Sequence, residues 1–279
     1  MSHVLRRLLP AIGAVALVLA LAGNAYAADK YVALGDSYSA GNGANSTNLN
    51  ASCNRNTYAY PYLVAQQRPN TALTFVACAG AQTPDIINNQ VNSVTSDTKI
   101  VTMTIGGNDI GFTSLIIACT TLGCQSQINS SNNQINTQLS AKLDATYAAI
   151  RSRAPTAQVV ILGYGRPFAH RTCFSATGVS LSEEDQLNAL TDNLNAKIKA
   201  RAQAAGFTYA DPNPAWTGHD VCSSNPFTNG LTLLRAADSY HPTRNGYASG
   251  YTPLVRSFVG CARVSAQGGG RCSPAARTG

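Results

Sequence analysis

Charge is scarce in this chain. Asp, Glu, Lys and Arg together make up 12% of its 279 residues. The net charge is +7, yet no run of Lys or Arg gathers it into a patch. Nucleic-acid binding wants such a patch, so that class of partner is not expected. Histidine is scarce as well. His3, His170, His219 and His241 show no zinc-like spacing and no Cys-x-x-Cys occurs, so no metal site is expected. Past residue 27 no apolar stretch is long enough to cross a bilayer, which excludes a stable anchor there. Internal repeats are absent, and no linker-like stretch divides the middle. One large domain is expected.

What is present begins with a leader. Arg6 and Arg7 precede an apolar run from Leu8 to Gly23, and Ala25-Tyr26-Ala27 forms an A-x-A cleavage site. Residues 1–27 read as a secretory signal peptide, with a soluble, extracellular product beginning at Ala28. A membrane anchor is the alternative. The run is short for a span of about 20 residues, and it carries Pro10. The folded domain is expected over 28–262, followed by a flexible tail over 263–279 that contains Gly268-Gly269-Gly270. Eight cysteines in an exported chain read as disulfides. Sequence order suggests neighbouring pairs: Cys53–Cys78, Cys119–Cys124, Cys173–Cys222 and Cys261–Cys272.

Short β-rich runs bounded by turn residues predict strands over 31–34, 73–77, 100–105, 159–162 and 207–210. Between 132 and 153, Ile135, Leu139, Leu143, Tyr147 and Ile150 recur every three or four residues, as on one helix face. Leu187, Leu190, Leu194 and Ile198 do the same between Glu183 and Ala205. A C-terminal helix is expected around 246–259. Near-continuous apolar strands alternating with amphipathic helices predict an α/β fold with a mostly parallel sheet covered on both faces.

Ligands of such sheets bind beyond the carboxyl ends of the strands. Three candidate positions lie there: Ser37 in Gly35-Asp36-Ser37-Tyr38-Ser39, Gly80 in Cys78-Ala79-Gly80, and Asn108 in Gly106-Gly107-Asn108-Asp109. Each alone is an ordinary turn. Together they offer a nucleophile and donors for an oxyanion: the Ser37 N–H, the Gly80 N–H and the Asn108 amide. His241, in Asp238-Ser239-Tyr240-His241-Pro242, is the natural base. In a tight turn Asp238 would reach its Nδ1 and fix the tautomer.

With these four blocks in this order, the chain resembles the SGNH, or GDSL-type, hydrolases over residues 29 to 260. The spacing of Cys53, Cys78, Cys119, Cys124, Cys173 and Cys222 is similar to that of secreted actinobacterial lipases and esterases of that family. Cys261 and Cys272 depart from that three-bridge pattern. The resemblance implies a three-layer α/β/α sandwich with nucleophile Ser37, base His241 and oxyanion donors Ser37, Gly80 and Asn108. It implies no cofactor and a monomer acting on a small-molecule or lipid ester, with fatty-acyl esters foremost. Within the family the histidine is held either by an acid such as Asp238 or by a main-chain carbonyl near Asp238–Ser239. A carbohydrate acetyl esterase is the alternative activity. A non-catalytic lipid- or glycan-binding module is the alternative class. The α/β-hydrolase fold is disfavoured, because no G-x-S-x-G elbow occurs.

Overall fold

The computed structural model describes residues 27–121 and 123–260. The leader up to residue 26, the tail beyond Gly260 and the expected Cys261–Cys272 bridge lie outside the described residues. In chain order the strands are β1 (Asp29–Ala33), β2 (Asn48–Asn50), β3 (Arg55–Asn56), β4 (Thr71–Phe75), β5 (Ile100–Met103), β6 (Gln158–Leu162) and β7 (Thr208–Ala210). The helices are α1 (Ser37–Ala40), α2 (Tyr60–Gln66), α3 (Thr83–Asn88), α4 (Phe112–Cys119), α5 (Gln125–Thr137), α6 (Leu139–Arg153), α7 (Leu181–Ala204), α8 (Asn213–Trp216) and α9 (Thr252–Val259).

Five strands form one parallel sheet in the order β4-β1-β5-β6-β7, while β2 and β3 pair as a small antiparallel ribbon. The central strands are apolar along their whole length because both faces are covered: all four residues of β5 are buried, and four of the five in β6. Helices α3, α5, α6 and α7 pack together as one layer. Helix α2 packs on α9, and α9 lies against β6 and β7. The result is the three-layer α/β/α sandwich. Chain order reverses between β1 and β5, and that switch point opens a crevice at the carboxyl ends of the strands.

Helix α7 shows why the periodic pattern reads correctly. Ser180 caps it, accepting from the Glu183 N–H, while the Glu183 carboxylate reaches back to the Ser180 N–H. Leu187, Leu190, Leu194 and Ile198 are buried along one face. Each such side chain contributes roughly 1.5–3 kcal/mol by leaving water.

Two elements differ from expectation. The helix predicted over 132–153 is two helices, α5 and α6, which meet at Gln138 with φ −121°. The apolar stripe runs through the junction, so periodicity does not reveal it. The C-terminal helix opens with a π-helical turn over Gly246–Tyr251 before α9 begins. Gly246 and Gly250 lie so close to Phe227 and Trp216 that an added methyl would come within 2.2 and 2.5 Å. That close approach fixes where the turn passes.

The bridges Cys53–Cys78, Cys119–Cys124 and Cys173–Cys222 are formed. Among the described residues no helix is long and apolar enough to cross a membrane.

Candidate active site

Ser37 opens the single turn of α1, directly past β1. Asp36 caps that turn, accepting from the Tyr38 N–H at 3.0 Å. Gly35 has φ +127°, and a methyl there would lie 2.4 Å from Ser39 Oγ. Only glycine fits this bend. The Gln90 side chain brackets it: its oxygen accepts from Gly35 N–H at 2.8 Å and its nitrogen donates to Gly35 C=O at 2.9 Å.

Beneath the turn, the Asp36 carboxyl accepts from Thr104 Oγ1 at 2.6 Å and from the Tyr164 hydroxyl at 2.5 Å. Burial pushes its pKa up to about 6, against the pull of those donors. Tyr164 also accepts from Gly107 N–H at 3.1 Å. It therefore braces the serine turn against the loop that carries Asn108.

His241 meets the serine from the opposite side. Its Nε2 lies 2.7 Å from Ser37 Oγ, with both residues buried. Its Nδ1 lies 3.0 Å from the Ser239 main-chain carbonyl. A carbonyl only accepts, so Nδ1 carries the hydrogen and Nε2 is left to accept from the serine hydroxyl. Burial lowers the imidazole pKa to about 4, so the ring is neutral near pH 7.

Of the two holders expected for the imidazole, Asp238 makes its contacts elsewhere. Its Oδ1 accepts from Gly43 N–H at 3.0 Å, and its Oδ2 lies 3.3 Å from Arg235 Nε. The physical reason is the chain path. Tyr240 sits in the left-handed region at φ +57°, which folds His241 back over Ser239 and turns Asp238 away. Tyr38 locks this path by donating to the Tyr240 carbonyl at 2.7 Å, and its ring lies 5.2 Å from the imidazole.

The donor positions follow three adjacent strands. Ser37 N–H and Gly80 N–H have no protein acceptor among the described residues. Gly80 is exposed, with φ +81°. Asn108 donates one amide hydrogen to Ala81 C=O at 3.0 Å, which leaves the other free. The Gly80 loop is fixed from both sides: Cys78 N–H donates to Gly35 C=O at 2.9 Å and Ala79 N–H to Cys53 C=O at 3.1 Å. The arrangement can deprotonate a hydroxyl and hold a negative oxygen beside it.

No metal chemistry is built in at the grouping of ligand-type residues found away from this rim. Cys119, Cys124 and Glu183 lie close together, but the two sulfurs are bonded to each other and offer no thiolate.

The sequence pattern of the GDSL-like Lipase/Acylhydrolase family matches residues 33–249. The chain belongs to that family. A lipase of Streptomyces rimosus is 41% identical over 254 residues, covering 90% of this chain and 94% of the relative. Lipase 1 of Streptomyces coelicolor is 39% identical over 233 residues, covering 82% and 86%. Among solved structures, the extracellular lipase of S. rimosus superposes with TM-score 0.79 at 42% identity, covering 83% of this chain and all of that one. A phospholipase A1 of Streptomyces albidoflavus superposes with TM-score 0.79 at 39% identity, with the same coverage. This GDSL-like chain is a carboxylic ester hydrolase.

Sequence reasoning missed Tyr240, Gln90 and Tyr164, and it left the histidine's holder open between Asp238 and a main-chain carbonyl near Asp238–Ser239. Ser239 acts through its backbone, which leaves no trace in residue type. Tyr164 did carry a signal, since it follows β6 at the same rim of the sheet as Ser37 and Asn108.

Proposed function

We propose that the chain is an exported, cofactor-free serine hydrolase of fatty-acyl esters. Its reacting pair is Ser37–His241, with the Ser239 carbonyl in the place an acid would take. As His241 Nε2 takes the hydroxyl proton, Ser37 Oγ attacks the ester carbonyl carbon. Negative charge grows on the carbonyl oxygen, held by Ser37 N–H, Gly80 N–H and the free Asn108 hydrogen. The imidazolium returns the proton to the leaving alcohol oxygen as that C–O bond breaks. Water then adds to the acyl-enzyme by the same route and releases the acid.

The observation that carries this reading is the 2.7 Å contact of Ser37 Oγ with an imidazole whose Nδ1 is held on a carbonyl. Fatty-acyl glycerolipids are favoured as substrates by relatives described as lipases and as a phospholipase A1. Export is supported by the Arg6–Ala27 leader pattern and by a relative described as extracellular. The test is p-nitrophenyl ester hydrolysis by protein recovered from the culture medium, together with labelling by a serine-directed phosphonate. The expected result is turnover, label on Ser37 and an N-terminus at Ala28. Absence of turnover on every ester from acetate to palmitate would sink the reading.

A further inference from the structure

Phe174 and Leu234 stand almost wholly in solvent, at 94% and 100% exposure. One exposed apolar side chain is ordinary on a folded surface. These two sit on loops that touch. The Leu231 N–H donates to the Ser175 carbonyl at 3.1 Å, and a methyl on Gly230 would come within 2.2 Å of that oxygen. The other large apolar side chains exposed among the described residues, Leu49 and Phe258, are at 48% and 37%.

Both loops rise from the carboxyl rim of the sheet, where Ser37 and His241 meet. Residues 163–180 connect β6 to α7, and residues 211–245 follow β7. Each loop is fastened at its base. The Cys173–Cys222 bridge ties the residue before Phe174 to the second loop. The Thr232 N–H donates to Ser239 Oγ at 2.9 Å, which closes 232–239 into a short excursion carrying Leu234. Ser239 is also the residue whose carbonyl holds the imidazole. The apolar tip therefore stands on the segment that orients the base.

The charge around these tips has one outward sign. Arg171 and Arg235 are about half exposed, whereas their partners Asp220 and Asp238 are largely covered. His170 and Asp185, both exposed, pair with each other. Apolar tips flanked by outward guanidinium groups suit a phospholipid layer, with hydrocarbon for the tips and phosphate at the level of the charges. A stable protein partner would need a complementary face of roughly 800 Å², and two side chains offer far less. We propose that Phe174 and Leu234 insert into a lipid surface and hold the Ser37–His241 rim against it. This rests on the reading of fatty-acyl glycerolipids as substrates and adds the surface by which the enzyme meets their aggregates.

The test is co-sedimentation with vesicles of ether-linked phosphatidylcholine and phosphatidylglycerol, which carry no acyl ester to cleave. Wild-type protein should bind. Phe174→Ser and Leu234→Ser should each raise the vesicle Kd about tenfold, since each removes one inserted apolar side chain. Phe258→Ser should stay within about twofold. Gln158 opens β6 and donates to the Phe258 carbonyl at 2.8 Å, which puts Phe258 at the amino ends of the strands, opposite the rim. Leu234→Trp keeps an apolar tip and reports on it: its emission should move to shorter wavelength with vesicles, against the background of the buried Trp216. No binding by the wild type, equal weakening in all three serine variants, or an emission that vesicles leave unmoved would overturn the assignment. So would a wild-type dimer that the two rim substitutions abolish, which would make a second copy the occupant. Absence of ester hydrolysis would instead strike the reading above, and the vesicle result would still decide the surface.

Discussion

The serine and the histidine come from regions held in different ways. On the serine side, Ser37, Gly80 and Asn108 follow β1, β4 and β5, which are bonded neighbours. Ala33 is in register with Phe75 on one flank and with Thr102 on the other. The strand ends cannot move apart without breaking the ladder. On the histidine side, residues 211–245 contain no strand, and an isolated bridge joins Thr228 to Pro242. Placement there depends on loop contacts, buried side chains such as Trp216 and Phe227, and the Cys173–Cys222 bridge, in place of a ladder. Asn229 donates to the carbonyls of Gly43 and His241, and Tyr38 to the Tyr240 carbonyl. Sheet positions share the stability of the whole fold, whereas loop positions can loosen locally. Damage on the serine side should act on chemistry through charge and nucleophile. Damage on the histidine side should act through geometry, at little cost in Tm.

The largest expected effect lies on the serine side. Ser37→Ala should lower kcat by about 10⁶-fold with Tm unchanged, as removal of a nucleophile does in other serine hydrolases. Asn108→Ala should lower kcat by roughly 10²–10³-fold with KM nearly constant, because its hydrogen acts on charge present mainly in the transition state. A rise in KM at constant kcat would make Asn108 a substrate-binding residue instead.

Tyr38→Phe probes the histidine side. Losing one hydrogen bond of about 1 kcal/mol should reduce kcat up to about tenfold while Tm falls by no more than about 2–4 °C. A larger drop in Tm would show that the loop is no more independent than the sheet, and the contrast would fail. Asp238→Asn should change kcat by less than about threefold, since an amide oxygen still accepts from Gly43 N–H. An acid that oriented the imidazole would instead show a loss of about 10⁴-fold.

The smallest effect is the one expected between pH 7 and pH 5.5. Burial lowers the His241 pKa to about 4, so the base stays neutral through that range. Activity should fall only as pH drops through about 4. A midpoint near 6 would point to the buried Asp36, whose pKa is pushed up to about 6.

The same division governs what could be read from the sequence. Strands buried on both faces announce themselves as short apolar runs, and all five expected runs overlap strands of the sheet. Ser37, Gly80 and Asn108 were legible because each follows such a run directly. The break at Gln138 was hidden, because Ile135, Leu139 and Leu143 keep their spacing across it. On the histidine side His241 could be found, but which of its two possible partners holds it could not. Asp238 has the right chemistry and lies three residues away, yet its direction is set by the backbone at Tyr240, which residue type does not encode.

Because Ser239 presents a main-chain oxygen to the imidazole, no exchange of side chain at that position deletes the acceptor. The requirement falls on chain path: two residues of separation, with the one between them in the left-handed region. Replacement within this loop should be tolerated far better than insertion or deletion of a single residue. A designer transplanting the pair into another scaffold would need to carry over the backbone conformation of a three-residue segment, where most serine hydrolases would require a third side chain.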